Sequence, residues 1–478
     1  MSIRQTKIVC TLGPATTGRD VLRGLLDAGM DAARFNLSYG THEEHARTLA
    51  LLRDLAGEMG RQVAVLFDLP GPKLRTGPLP GGAVDLRVGD TVRLVPDGGP
   101  SPAARAGEPV VPYRYPALSR DVRPGNRAFL QDGEIALQVQ EIVGEEVICT
   151  VLNGGRLRQH AGINLPGVQL SVPAVTAEDF RHLEFGLAQG ADYVALSFVE
   201  GPDEIRGVRE FVEQRGGAVR LVAKIERRRA LESIDEIVAA ADAIMVARGD
   251  LAVETSPEEV PIIQKALIAT CNRRGVPVIT ATQMLESMVQ NPRPTRAEAA
   301  DVANAVFDGT DALMLSGETA IGRFPVEAIT AMARIAERAE AALPYDLILR
   351  ERARTVERST AEAIALASVQ AAETLGAAVI VAATTTGSTA LRVARFRPHR
   401  PILALTMSEA TLRRLRLVWG VHPVVMPEVR DFDEVIAAAQ DAARRTGLAR
   451  PGDDIVVTAG YPMGQSGTTN LLKVVRVE

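Results

Sequence analysis

Eight short apolar runs alternate with helical patterns along this chain, and that alternation limits the fold more than any other feature. The runs are KIVCTL (7–12), AARFNLS (32–38), VAVLFDL (63–69), YVALSF (193–198), LVAKIE (221–226), AIMVARGD (243–250), VPVITAT (276–282) and ALMLSGE (312–318). In VAKIE and MVARGD both faces are hydrophobic up to the charged ends, as expected of buried parallel strands. Helical stretches such as THEEHARTLALLRDLAGEMG and TRAEAADVANAVFDG lie between most of them. Parallel neighbours need helical crossovers, so the order predicts an α/β fold built on a closed (β/α)8 barrel. Polar residues gather at the C-terminal ends of the strands, the face on which barrel sites form.

The alternation breaks once. Residues 71–167 begin rich in Gly and Pro and continue with period-2 patterns such as AVDLRVGDTVRLV, which predicts a small β-barrel domain inserted after the third strand. At the catalytic face such an insertion is placed to act as a lid. After about residue 342 a helix through TAEAIALASVQAAETLG precedes further strand and helix patterns, a C-terminal α/β domain. The expected division is therefore a catalytic barrel over 1–70 and 168–341, a lid over 71–167 and a third domain over 342–478.

Composition narrows the function classes. A hydrophobic content of 46% with 24% charged residues is that of a globular protein, and a net charge of −5 gives no footprint for nucleic acid. No apolar run has the length of a membrane span and the N-terminus has no signal-peptide core, so no membrane partner and a cytoplasmic location are expected. Three widely spaced cysteines (Cys10, Cys149, Cys271) argue for a reducing compartment and against a disulfide framework. Only five of the 54 lysines and arginines are lysines. A coding bias towards arginine explains most of this, and it makes each remaining lysine a candidate for a compact point charge.

Lys224 and Glu226 are two apart in VAKIE and project from one face of a strand. Alone they could be a buried ion pair. Asp250, in MVARGD, adds a second carboxylate, and Gly249 beside it permits close approach of a ligand to the backbone. One ammonium and two carboxylates at one spot suit a divalent cation and the anion it holds, the chemistry of phosphoryl transfer or of enolate formation. Arg34, Asn36 and Ser38 alternate along the second strand and suit phosphate oxygens or a monovalent cation; a salt-bridged strand end is the plain alternative. Asp68 ends the third strand and Arg75 follows at the hinge of the insertion. Thr282 ends the seventh, where its hydroxyl could relay a proton or simply cap a helix.

KIVCTLGPAT, GMDAARFNLSYG, LFDLPGPKLRTG, VAKIE, MVARGD, ATQMLESM, NPRPTRAEAADVANAVFDGTDALMLSGETA and GYPMGQSGTTN resemble, in order and over nearly the whole chain, the pyruvate kinase family. The resemblance implies transfer of the phosphoryl group of phosphoenolpyruvate to ADP, giving pyruvate and ATP. It implies that Lys224 stabilises the moving phosphoryl group and that Glu226 and Asp250 hold Mg²⁺, for which Mn²⁺ can substitute. Arg34 would grip the phosphoryl group, and Arg75 with Asn36 the nucleotide side. Gly249, Asp250 and Thr282 would bind the carboxylate end, with Thr282 helping to protonate the enolate. A homotetramer is also implied.

Most relatives need K⁺, held at positions matching Asn36, Ser38, Asp68 and the carbonyl of Leu69, beside a glutamate. Here that glutamate is Lys73. Its ammonium is expected to replace the cation and make activity independent of K⁺; a solvated hinge lysine is the alternative. A lysine that commonly precedes the glycine matching Gly162 is Ala161 here, leaving that nucleotide contact unassigned. Hydroxyl- and glycine-rich loops holding Thr384, Thr386, Gly387, Thr389 and Gly467 match regions that bind an allosteric sugar phosphate or nucleotide in relatives, and as sequence they also read as ordinary turns. Two other classes share parts of the pattern. Pyruvate-enolate aldolases carry a metal-holding strand of the same kind without the lid or Arg75, and an idle phosphometabolite sensor would use only the third domain.

Overall fold

The computed structural model describes residues 3–72, 74–98, 108–462 and 467–478. Lys73 and part of the GYPMGQSGTTN loop lie outside the described residues. Eight parallel strands close into a barrel: Lys7–Leu12, Ala32–Asn36, Ala64–Asp68, Tyr193–Leu196, Arg220–Ile225, Ala243–Ala247, Val278–Ala281 and Ala312–Leu315. Each pairs with its neighbours in chain order, and the first closes against the eighth through Lys7 opposite Ala312. Alternate residues face opposite ways, as a period of two requires. Ile8 and Cys10 pack outward against the helices, whereas Val9 joins Leu66, Val222, Met245, Ile279 and Met314 in the barrel interior.

The crossover helices begin where the sequence supplies caps. Thr41, Thr176 and Thr295 each accept the N–H of the residue three positions on, and Glu44, Asp179 and Glu298 bond back to the cap. Among the described residues no helix is long and apolar enough to cross a membrane.

The insertion is a curled six-stranded sheet with a two-stranded ribbon, Ala83–Leu86 with Gly155–Arg158. Both wrap one core that includes Leu86, Val92, Val111, Ile135, Leu137, Cys149 and Leu157. In Ile135–Val143 the buried and half-exposed residues alternate at first, as the period-2 pattern predicts.

The third domain is a five-stranded sheet with apolar clusters on both faces, one of them against helix Thr360–Leu375 and the other against helix Phe432–Arg445. It docks on the floor of the barrel. Leu417, fully buried, enters the barrel's interior cluster from below. Around it Arg397 pairs with Asp311 at 2.8 Å, Arg413 with Asp192 at 3.0 Å, and Lys7 Nζ donates to the Val421 carbonyl at 2.8 Å.

Candidate active site

The C-terminal mouth of the barrel opens into a cavity of about 380 Å³ roofed by the inserted domain. Arg34, Asn36, Ser38, Asp68, Lys224, Glu226 and Asp250 line it, so the residues singled out on four separate runs converge. Lys224 Nζ lies 2.9 Å from Glu226 Oε1 and 3.2 Å from Asp68 Oδ1, and donates to Ser197 Oγ at 2.6 Å. Arg34 grips the other oxygen of Asp68, its Nε donating at 2.7 Å, and donates through Nη1 to Thr11 Oγ1 at 2.9 Å. Ser197 Oγ in turn donates to the Leu69 carbonyl at 2.8 Å, and the Phe198 N–H donates to Glu226 Oε2 at 2.7 Å. The ammonium is therefore held on three sides.

These contacts fix the charge states. Burial opposes the charge on Lys224, but Asp68 and Glu226 outweigh it and raise the ammonium's pKa, so it stays charged. Burial likewise opposes the Asp68 carboxylate, and Lys224 and Arg34 together draw its pKa below the ordinary value. Glu226 goes the other way: burial raises it, and repulsion from Asp250 adds to that against the pull of Lys224. Glu254, on the cavity wall, is pushed up to about 7 by burial, with Glu200 and Asp250 adding to it and Arg227 opposing. Glu226, Asp250 and Glu254 thus line one side of the cavity, two of them with their ionised forms disfavoured by burial.

Three positions differ from the strand-end geometry the sequence predicts. The sixth strand stops at Ala247, and Asp250 stands in the first turn of helix Arg248–Glu254. Helical geometry places Glu254, four residues on, over the same face. The seventh strand stops at Ala281, and Thr282 follows with φ +66°, then Gln283 with φ +52°. A β-branched residue rarely adopts this left-handed backbone, and no helix starts there for it to cap. Thr282 Oγ1 instead accepts the Gly249 N–H at 2.8 Å and donates to the Ala281 carbonyl at 2.7 Å. The Gly249 N–H, expected to face a ligand, is thereby engaged, and a Cβ at Gly249 would meet Thr282 only at ordinary contact distance. Ser38 also lies past its strand, which ends at Asn36, and its N–H donates to Asn36 Oδ1 at 3.1 Å.

Arg75 reaches the cavity from the lid side, its Nη1 donating to the His160 carbonyl at 3.0 Å, and Ala161 lines the same wall. In the third domain, Thr384 Oγ1 accepts the Gly387 N–H at 3.0 Å, and the Thr389 and Thr469 hydroxyls bond each other at 2.8 Å. Each of these hydroxyls thus has a partner within the domain. Thr386 is exposed, and Gly387 and Gly467 take φ of +91° and +84°.

Ser197, Arg248 and Glu254 went unnoticed as sequence. Buried Arg248 holds the Thr282 loop from beneath: Nη2 donates to the Thr282 carbonyl at 2.7 Å, Nε to that of Ala281 at 3.2 Å, and Nη1 to Asp301 at 2.8 Å. Its only signal was to follow a strand beside Gly249 and Asp250. Glu254 could have been found from its i,i+4 spacing to Asp250.

Barrel, roof and a caged ammonium facing paired carboxylates define an enzyme of the phosphoryl-transfer class. The sequence profile of "Pyruvate kinase, barrel domain" matches residues 3–329, and that of "Pyruvate kinase, alpha/beta domain" matches residues 362–475. The pyruvate kinase of Geobacillus stearothermophilus is 47% identical over 98% of this chain and 80% of its own length. That of Clostridium acetobutylicum is 42% identical over the full length of both, and one from Staphylococcus aureus is 44% identical over 99% of this chain and 80% of its own. The chain belongs to the pyruvate kinase family.

Proposed function

We propose that this site transfers the phosphoryl group of phosphoenolpyruvate to ADP, with the residue roles given below. The observation that carries the reading is the Lys224 ammonium, kept charged between Asp68 and Glu226 at the cavity floor. The ester P–O bond of phosphoenolpyruvate breaks as a terminal phosphate oxygen of ADP bonds to phosphorus, leaving the enolate of pyruvate. Such a transfer asks for positioning and charge stabilisation. Lys224 and Arg34 face the three phosphoryl oxygens, and Arg75 with Asn36 orients the nucleotide phosphates. Thr282, directly or through water, delivers the proton that turns the enolate into pyruvate, while the Asp250 N–H holds the carboxylate end and Gly249, its own N–H taken by Thr282, serves to position that hydroxyl.

Mg²⁺ fits the residues present. Among the described residues no cluster of three or more His, Cys, Asp or Glu forms a protein cage for a metal. Two carboxylates close enough to repel each other suit an ion bound partly through substrate and water. Glu226 and Asp250 would hold it, and Mn²⁺ could substitute. When bound, the ion neutralises charge on the substrate's carboxylate and phosphoryl oxygens.

In our reading K⁺ is not required, because Lys73 supplies its charge. In support, much of the corresponding ligand set is engaged within the protein: Asp68 by Arg34 and Lys224, Asn36 Oδ1 by the Ser38 N–H, and the Leu69 carbonyl by Ser197. We further read the third domain as binding a sugar-phosphate or nucleotide effector, the assembly as a homotetramer, and the compartment as the cytoplasm, where buried, unpaired Cys10, Cys149 and Cys271 stay reduced. A coupled assay for pyruvate from phosphoenolpyruvate, ADP and Mg²⁺ tests the reaction, and no pyruvate would refute it. Run with tetramethylammonium as the only monovalent cation, the same assay should retain activity, and Lys73→Glu should restore a K⁺ requirement. Sedimentation tests the tetramer.

A further inference from the structure

The chain crosses between barrel and lid twice, outward through residues 69–72 and 74–75 and back through residues 163–176, and one carboxylate joins the two crossings. Asp179, 1% exposed, lies at the third position of helix Ala177–Ala188. Its Oδ1 accepts the Gly71 N–H at 2.9 Å on the outward crossing. Its Oδ2 accepts the Thr176 N–H at 2.7 Å and the Thr176 hydroxyl at 2.6 Å on the return. A capping box needs only the Thr176 N–H bond to Oδ2 and the Asp179 N–H bond to Thr176 Oγ1. The bond to Gly71 spans 108 residues and does nothing for the helix.

Gly71 is confined from its other side as well. Its φ is +63°, and a Cβ there would come within 3.0 Å of Ser197 Cβ and of the Phe198 ring. Ser197 holds Lys224, and the Phe198 N–H holds Glu226. The outward crossing is thus wedged between the carboxylate of Asp179 and the two residues that fix the ammonium and its partner. A cavity of about 430 Å³, lined in part by Pro72, Leu170, Val172, Phe180 and Phe198, lies beside the hinge and leaves both crossings room to move.

We propose that Asp179 is a positioning residue that ties the two crossings of the lid to one point, so that Arg75 is carried to a fixed place over Lys224. Charge-assisted bonds to both crossings make the hinge a single pivot. Without them the crossings stay paired at the lid end, where the Ile163 N–H donates to the Leu74 carbonyl at 2.9 Å, but they lose their common anchor on the barrel and the lid swings as a body. Arg75, four residues beyond Gly71, then samples a range of positions, and displacements near 1 Å are enough to cost about a hundredfold in rate. This inference rests on the nucleotide role read for Arg75.

The test uses the full chain with Asp179→Asn and Asp179→Ala, and Arg75→Met as the control. Two reactions are followed: steady-state transfer to ADP, and deuterium exchange into the pyruvate methyl group with Mg²⁺ and inorganic phosphate, which uses barrel residues alone. Both Asp179 variants are expected to raise KM for ADP about tenfold or more and to lower kcat. Methyl exchange should stay within about twofold, because no barrel group has moved. Parallel loss of both reactions would mean that Asp179 only supports the barrel, and an unchanged KM for ADP would mean that the crossings hold without it. Either result overturns the proposal. If neither variant folds, Thr176→Val, which removes one of the three bonds, is expected to give the same split at smaller amplitude, and its absence overturns the proposal too. A control with unchanged KM for ADP would instead refute the role of Arg75.

Discussion

Replacing Arg248 with methionine should disable proton delivery while leaving nucleotide binding intact. Thr282 and Gln283 both have positive φ, and left-handed backbone costs a non-glycine residue roughly 1–2 kcal/mol each. Against that stand the guanidinium's bonds to the Thr282 carbonyl at 2.7 Å, the Ala281 carbonyl at 3.2 Å and Asp301 at 2.8 Å. Bonds involving a charged group contribute about 1.5–3 kcal/mol each, so two of them suffice to offset the strain. Methionine keeps much of the buried volume and removes every one of these bonds. The loop then relaxes, and the Thr282 hydroxyl leaves the Gly249 N–H. A displacement of about 1 Å corresponds to roughly a hundredfold in kcat, or about 2.7 kcal/mol of barrier. Arg248→Lys should fare little better, since one ammonium cannot reproduce a planar fork. The assays are steady-state kcat and pyruvate methyl exchange, which should fall together while KM for ADP holds. A kcat within about threefold of the parent, below the roughly hundredfold loss that misplacement predicts, would refute the reasoning.

Three further outcomes are expected. Lys224→Met should lower kcat by about 10²–10³, the cost of removing one preorganised donor, as read in the coupled assay. Lys7 is buried, and burial lowers its pKa to about 8 despite the pull of Asp31. With the unfolded value near 10.4, the unfolded chain binds more protons between the two, so stability rises with pH across that window and the cost is fully present below about 8. Denaturant titrations from pH 7.5 to 10.5 should therefore show the parent gaining on Lys7→Met by up to about 3 kcal/mol. Leu417→Ala leaves a hole in the barrel interior and should cost about 2–5 kcal/mol by the same titration at neutral pH.

The parts legible in the sequence were those governed by short periods. Arg34 with Asn36, and Lys224 with Glu226, are two apart on buried strands, so their shared direction followed from the pleat. The order of the barrel followed from alternation alone. Asp250 came to the cavity wall from a helix, and Thr282 came to lie against Gly249, because the chain leaves the strand after Ala247 and after Ala281. A run of apolar letters does not mark where a strand gives way to a turn. Ser197, Arg248 and Asp179 were illegible for a different reason: each acts on groups far away in sequence, as Asp179 does on Gly71. Such pairings exist only once the topology has brought the partners together. The lid's core was legible as alternation, but its separate two-stranded ribbon was not.

Leu417 gives the first and third domains a common foundation. The residue that closes the catalytic barrel is encoded about a hundred positions beyond the barrel's last strand, so the barrel is not a portable unit. A chain cut between the two would expose a ring of aliphatic side chains to water and leave Asp192 and Asp311 without their arginines. Exchange of the third domain between relatives can succeed only if the incoming piece brings a matching plug. Substitutions at position 417 and at the inward residues Val9, Leu66 and Met314 are therefore expected to be correlated across the family, though they belong to different domains.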